Sequence, residues 1–463
     1  MQADAMQALS YAYLAFPYVV ALLLGLLVPA LGVLCYSSFG SGVAVIVGMF
    51  AVEALYMFVG GFSVGVSLFY TDLTLAFVFV VAVLRLLTVK SRPRVHPAWF
   101  VYSAAAFLSL ATGLAVHGSS AGVQARPYFY FVASALYGMS FEIDERRIRL
   151  LLDALAAVAV LLLCVTVYRW VVYYTPITEL LPEEGAYNND GPIRVIRSYE
   201  TLVLAQALVA SLFFAGAAGG LAVLRVLSPL LLMAVVALQH RSVWVAALTG
   251  VLAGALLSRL QRGSVIGQVL LVAGIGLTAC LPMLLSDKLS GVGDQINSSA
   301  ENALAGRGTA SGRVNSWKGL VDNWAAAGPR SILIGQSFGT DPTRFVRDAS
   351  GVVHKITETA HNMYVQTLFS MGLIGLGAFL FAAAYVVHGL YRICAFGQGG
   401  APAQALLVLV LMQLVYFVPY GTDYLQSLIF GVALSYVVGR RSTSEVIERP
   451  SRTAKGTPRW SQT

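Results

Sequence analysis

The sequence predicts an all-α polytopic membrane protein with one large extramembrane loop. Three observations predict it. The 463 residues are 58% hydrophobic and 11% charged, with mean hydropathy +0.75, whereas a soluble domain carries about 25% charged residues. Apolar runs near the length that spans a bilayer recur along most of the chain. A polar stretch, Ser286 to Ala360, interrupts them and ends at His361-Asn362, where a new apolar run begins.

The spans run in order as Tyr13–Leu34, Ser41–Val59, Leu73–Leu87, Ala98–Val116, Tyr128–Ser140, Leu150–Val172 and Thr201–Ala218. After them come Val226–Leu238, Val243–Leu257, Val265–Leu285, Met363–Leu390, Ala405–Val418 and Leu425–Val438. The expectation is about 12–13 transmembrane helices. The chain divides into N-terminal helices (1–285), a helical periplasmic loop (286–360), C-terminal helices carrying His-Asn (361–439) and a disordered cytoplasmic tail (440–463).

Lys and Arg cluster at Lys90–Arg94, Arg146–Arg149, Arg259–Arg262, around Arg392 and beyond Arg440. Such loops face the cytoplasm, so Ser286–Ala360 and Tyr174–Tyr199 face outward. The +8 charge reads as topology, and no nucleic-acid partner is expected. The N-terminus shows no basic region with a cleavage site, so no removable signal peptide is expected. Cys35, Cys164 and Cys280 lie in or near apolar segments and Cys394 in a short basic loop, a pattern without a disulfide framework or metal motif. There is no internal repeat.

Within the outer loop, Ser311–Trp317 opens a helix running to about Trp324, with Trp317, Leu320, Val321 and Trp324 on one apolar face. Gly328-Pro329 breaks it, and Gly335 and Gly339 bracket a tight turn. This helix is expected to lie on the mouth of the membrane domain.

His361, at a loop–helix junction, can act near neutrality as general base toward an outer hydroxyl. The bland reading is an interfacial capping histidine. Asn362 can orient the imidazole, and Gly372 and Gly375 below it let another helix approach. Arg241, in Gln239-His240-Arg241-Ser242, and Arg126, before Pro127, face the side that disfavours cations. Snorkelling is the bland alternative for both. Arg313 and Arg330 stand in the loop. Guanidinium forks match phosphate oxygens, and a lipid diphosphate presents these at headgroup level. No Asp-x-Asp pair marks a metal site. Asp341 and Asp423 read as isolated surface charges, and Glu53 as the main midspan charge.

These residues resemble the O-antigen ligase and polymerase superfamily: lipopolysaccharide O-antigen ligases, Wzy-type polysaccharide polymerases and bacterial O-linked oligosaccharyltransferases. The resemblance rests on His361-Asn362 with Gly372 and Gly375, on Gly312-Arg313-x-x-x-Trp317 followed by Ile334-Gly335 and Gly339, and on Arg241-Ser242 before the loop. It covers Leu231 to Gly375; the N-terminal half agrees only in hydropathy. It implies a GT-C-like inner-membrane glycosyltransferase with its catalytic face periplasmic. The donor would be an undecaprenyl-diphosphate-linked glycan and the acceptor a glycan or lipid A-core. A polysaccharide flippase and a chain-length regulator are implied partners. No cofactor or metal is implied. His361 would be the base, Arg241 and Arg313 would hold the diphosphate with Arg126 and Arg330 as further candidates, and the reaction would invert. Asn362, Trp317, Gly372, Gly375 and His240 would support them.

Ligases carry a Ser-Arg-Gly/Ala turn where this chain has Gln239–Trp244. That departure favours a polymerase of lipid-linked repeats. A ligase, a protein O-oligosaccharyltransferase and a lipid transporter stay open as alternatives.

Overall fold

A peptide group in hydrocarbon must satisfy its own hydrogen bonds, so each apolar run closes into a helix. The computed structural model describes residues 27–56, 60–63, 67–89, 95–174, 194–259, 309–347, 353–357, 359–397 and 399–447. The expected span Val265–Leu285, Cys280, residues 286–308 of the outer loop, most of Tyr174–Tyr199, the Lys90–Arg94 cluster and the distal tail lie outside these.

The helices are α1 (Leu27–Ser37), α2 (Phe39–Tyr56), α3 (Tyr70–Thr88), α4 (Pro97–His117), α5 (Ser119–Met139), α6 (Glu145–Tyr174) and α7 (Ser198–Phe214). They continue as α8 (Gly219–Ala237), α9 (Arg241–Arg259), α10 (Thr309–Ala326), α11 (Pro329–Ile334), α12 (Met363–Ala395), α13 (Ala401–Tyr416) and α14 (Tyr424–Ile447). Among the described residues, seven helices are long and apolar enough to cross a membrane, and α1, α9 and α13 are shorter apolar helices. The protein is an all-α polytopic membrane protein. Every expected span with described residues has its helix.

Several boundaries differ from expectation. Helix α5 begins at Ser119, so Arg126 and Pro127 lie inside it. Helix α12 continues to Ala395, which puts Arg392 and a buried Cys394 in its last turns rather than in a loop. Glu53 lies in the last turn of α2, not at midspan. The outer loop also holds strand structure: β3 (Arg344–Arg347) pairs antiparallel with β4 (Val353–Ile356). A smaller hairpin, β1 (Gly61–Ser63) with β2 (Ser67–Phe69), follows α2.

The core around α4, α5, α12 and α14 is aromatic. Trp99 packs on Phe131 and Phe430, and Tyr102 on Phe379, at ring centroids 5.2–5.7 Å apart. Helices α5 and α14 approach until backbone meets backbone. A Cβ on Gly431 would stand 2.2 Å from the Ala135 carbonyl oxygen, and one on Gly138 would stand 2.9 Å from the Val432 nitrogen. Small residues at such a crossing are what membrane helix packing needs.

One end of the bundle is tied together at Glu145. Its carboxylate accepts from the Gly400 N–H at 3.2 Å and pairs with Arg440 at 3.5 Å. The opposite end gathers the turns 194–197, 239–240 and 417–423, with α10 packed on the start of α12 and on β3.

Candidate functional site

His361 sits at that second end. It is exposed, and its backbone has φ +44°. A non-glycine residue in the left-handed region costs roughly 1–2 kcal/mol, so the flanking residues must hold it there. They do. The Trp317 indole N–H donates to the Ala360 carbonyl at 2.6 Å, and the Ala360 N–H to Gln366 Oε1 at 3.3 Å. Asn362 Oδ1 accepts from the Val365 N–H at 3.0 Å and caps α12. The Met363 N–H, orphaned at the helix start, donates to the carbonyls of Phe417 (3.0 Å) and Tyr420 (3.1 Å). Leu320, Ala360 and Phe369 form a small buried cluster with Trp317 and Trp324 packed against it. Asn362 therefore fixes the backbone around His361, where the sequence suggested an imidazole partner. Trp317 does the same from α10.

Arg313 reaches the same turn. Its Nη1 donates to the Pro419 carbonyl at 3.3 Å, and its guanidinium lies 5.0 Å from the Tyr420 ring centroid. A guanidinium has five N–H donors, so one bond to a carbonyl leaves donors for a ligand. Tyr420 stacks on Tyr416 at 5.1 Å, and the Tyr416 hydroxyl bonds Ser198 Oγ at 3.0 Å. Two residues earlier, the Ile196 carbonyl meets His240 Nε2 at 3.1 Å. The Arg194 guanidinium donates to the Gln239 carbonyl at 3.3 Å. These contacts link the turns before Arg241 and at His361 with helix α10, which carries Arg313, in one frame.

Arg241 opens α9 directly after this turn. Its Nε is enclosed and meets no acceptor among the described residues. An enclosed guanidinium N–H without an acceptor loses the water it had and gains nothing, a state an incoming oxyanion would relieve. His240 is buried against the Ile196 carbonyl, a structural placement rather than that of a second base.

Arg126 is engaged elsewhere. It pairs with Asp72 at 3.0 Å, donates to the Ser67 carbonyl at 2.7 Å and lies over the Phe69 ring. Arg330 is exposed on α11 and lines a cavity with His117 of α4. The structure thus brings Arg241, Arg313 and His361 onto one frame and places Arg126 and Arg330 in other settings.

The helix that comes close to Gly372 (φ +65°) is the short α11 of the loop. A Cβ there would stand 2.4 Å from the Leu333 carbonyl carbon and 2.5 Å from the Gly335 nitrogen. The glycine admits the end of α11, and the Gln336 N–H then bonds the Phe369 carbonyl at 2.8 Å. At Gly375 a Cβ would collide with Met371 of the same helix at 2.4 Å.

Sequence reasoning missed the groups around the frame. Asp423 is buried, not a surface charge. Its Oδ1 accepts from the Leu425 and Gln426 N–H groups, and its Oδ2 is enclosed without a partner among the described residues. Burial pushes its carboxyl up to about 7, aided by Glu53 and Glu200 and opposed by those two N–H bonds. Arg169, also buried, reaches the Val195 carbonyl (2.9 Å) and the Ala54 carbonyl (2.6 Å), tying α6 to the 194–197 turn and to α2. An arginine inside an apolar run was the available signal for it. The signal for Asp423 was its place one residue before an apolar helix, where aspartate caps. Asp341 is exposed, as expected.

Residues 226–380 match the family model described as "O-Antigen ligase". The matched segment contains Arg241, Arg313, His361 and the Gly335–Gly372 contact. It supports the resemblance to the O-antigen ligase and polymerase superfamily and a ligase- or polymerase-type function in general. No curated protein matches the chain.

Proposed function

We propose that this chain, with its O-antigen ligase family segment, is a membrane glycosyltransferase that moves a glycan from a polyprenyl diphosphate to a hydroxyl acceptor. One observation carries the reading. A strained, exposed histidine is held on the same turn that positions Arg313, within one frame with an arginine whose enclosed Nε meets no acceptor among the described residues. Strain of this kind collects where geometry must be exact for chemistry.

His361 takes the proton of the acceptor hydroxyl as that oxygen attacks the anomeric carbon. The anomeric C–O bond to the diphosphate breaks, and its electron pair leaves with the lipid diphosphate. Arg241 and Arg313 meet the growing negative charge, where preorganised cations contribute most. Displacement from the opposite face inverts the anomeric centre. The guanidinium groups supply the positive charge in this scheme, which is metal-independent. In this reading the site faces the periplasm from the bacterial inner membrane, and an undecaprenyl-diphosphate-linked glycan is the fitting donor.

The acceptor in the first reading is a second lipid-linked oligosaccharide, so the product is polymer. The Gln239–Trp244 turn supports it. The description of the matched family favours a second reading, transfer to lipid A-core. Purified protein given one synthetic undecaprenyl-diphosphate oligosaccharide separates them. A ladder of longer lipid-linked products formed without lipid A-core supports the polymerase, and product formed only with lipid A-core the ligase. Product that survives EDTA and disappears in His361→Ala supports the mechanism. Full activity in His361→Ala overturns it.

A further inference from the structure

A second feature lies on the flank of α12 that faces α4 and α11. Two cavities adjoin there, sharing Leu108 and Ile334 in their linings. The first, ≈ 250 Å³, has polar groups in its lining: Arg330, His117, Thr112, Ser331 and Gln336. The second, ≈ 240 Å³, is apolar, bounded by Phe100, Ala104, Met371 and Ile374. Leu108 to Phe100 is eight residues of α4, or about 12 Å along its axis. The polar cavity sits at the end of α4 that carries His117, and the apolar one descends from it into the hydrophobic zone. The groove thus reads as a cationic, hydroxyl-rich head site above a slot for a hydrocarbon chain. Its shape is fixed from below by the Gly335–Gly372 contact, because Gly335 presses on Ser370 and Met371.

We propose that this groove binds the acceptor lipid, a phosphate-headed glycolipid with its phosphate at Arg330 and His117 and its chain between α4 and α12. The inference rests on the transferase reading above. Charge complementarity selects the headgroup: the Arg330 guanidinium, in one cavity lining with the His117 imidazole, whose Nε2 lies 3.3 Å from the Thr340 hydroxyl, suits a phosphate, and the hydroxyls and amide of that lining suit phosphate oxygens and sugar. The apolar slot selects a lipid over a free anion. A transferase joining two lipid-borne partners needs two lipid sites. The frame of Arg241 and Arg313 accounts for one, and the groove lies with other elements, on α4 and α11. Helix α12 joins them, with His361 just before its first turn and Met371 and Ile374 farther along.

Photolabelling with a diazirine-bearing polyprenyl phosphate tests this on full-length protein in nanodiscs, with labelled peptides mapped by mass spectrometry. The expected labels fall on residues 100–108 and at Ile334. Arg330→Gln should lower that labelling at least five-fold, and so should Leu108→Trp, which fills the slot without touching the charge. Arg241→Gln should leave it unchanged, and inorganic phosphate should compete far less well than unlabelled lipid. Undiminished labelling in both groove variants overturns the proposal. So does competition by inorganic phosphate equal to that of the lipid, which would reduce the groove to an anion site. The donor assignment fails on a separate result, full glycan transfer in Arg241→Gln.

Discussion

Gly372 leaves room for the backbone at Gly335, whose nitrogen would stand 2.5 Å from a Cβ on Gly372, and Gly335 in turn leaves room for the backbone of Ser370 and Met371. Both glycines have positive φ (+65° and +82°), and a Cβ on Gly335 would stand 2.3 Å from the Ser370 carbonyl carbon. The pair lets the outer loop press backbone-to-backbone on α12. Gly372→Ala should therefore lower thermal stability in detergent, by roughly 1–3 kcal/mol from backbone strain alone, and reduce transfer. Gly377 of the same helix meets nothing within 4 Å, so Gly377→Ala should be silent. Equal effects from the two would refute the close-approach account.

His361 separates catalysis from folding. His361→Gly relieves the left-handed backbone and should raise stability by about 1 kcal/mol, while transfer falls 10²–10⁴-fold, the usual worth of a general base. A melting curve and a single-turnover assay on one sample suffice. Loss of both stability and activity would assign the histidine to structure.

Arg241 should not tolerate lysine. A point charge cannot present the fork that a diphosphate matches, so Arg241→Lys should lose about 10–100-fold in kcat/KM. Measured with a synthetic lipid-diphosphate donor, retention of wild-type kcat/KM would show that the enclosed Nε has no ligand.

Asn362→Ala should cost about 1 kcal/mol through loss of the α12 cap, and Asn362→Ser, which also caps, should restore most of it. Activity should follow stability across the two variants. An Asn362→Ser protein that is stable but inactive would instead restore the imidazole-orienting role.

Asp423 makes stability depend on pH. Its folded carboxyl is raised from an ordinary 3.8 to about 7 by burial, so the folded state prefers the protonated form. That contribution is fully present below about pH 4 and is lost as pH rises through 7. Asp423→Asn keeps an acceptor for the Leu425 and Gln426 N–H groups and removes the titration. From pH 5 to 8 the wild type should lose up to a few kcal/mol more unfolding free energy than Asp423→Asn does. Parallel curves for the two proteins would contradict the assignment.

The helices were legible because hydropathy depends on composition alone. Even so, α5 hid its first nine residues, since Ser119, Ser120, Gln124 and Arg126 dilute the apolar signal that begins at Tyr128. The site was legible as far as residue type marks chemistry: Arg241, Arg313 and His361 stood out as cations and an imidazole beside apolar runs. Their frame did not, because it consists largely of backbone carbonyls at Pro419, Phe417, Tyr420 and Ile196, which no side chain announces. Arg126 and Arg330 stood in sequence as further candidates beside the other two arginines. Only tertiary contacts, with Asp72 and with the α4 cavity, divide them.

The Met363 N–H bonded to Phe417 and Tyr420, with Arg313 on the Pro419 carbonyl between them, sets the spacing of His361 and Arg313 through main-chain atoms. Side-chain substitution around the frame leaves that gauge unchanged. Under the proposed function, side chains that meet the glycan are therefore free to diversify, and a lineage could exchange one glycan for another without recalibrating the reaction centre.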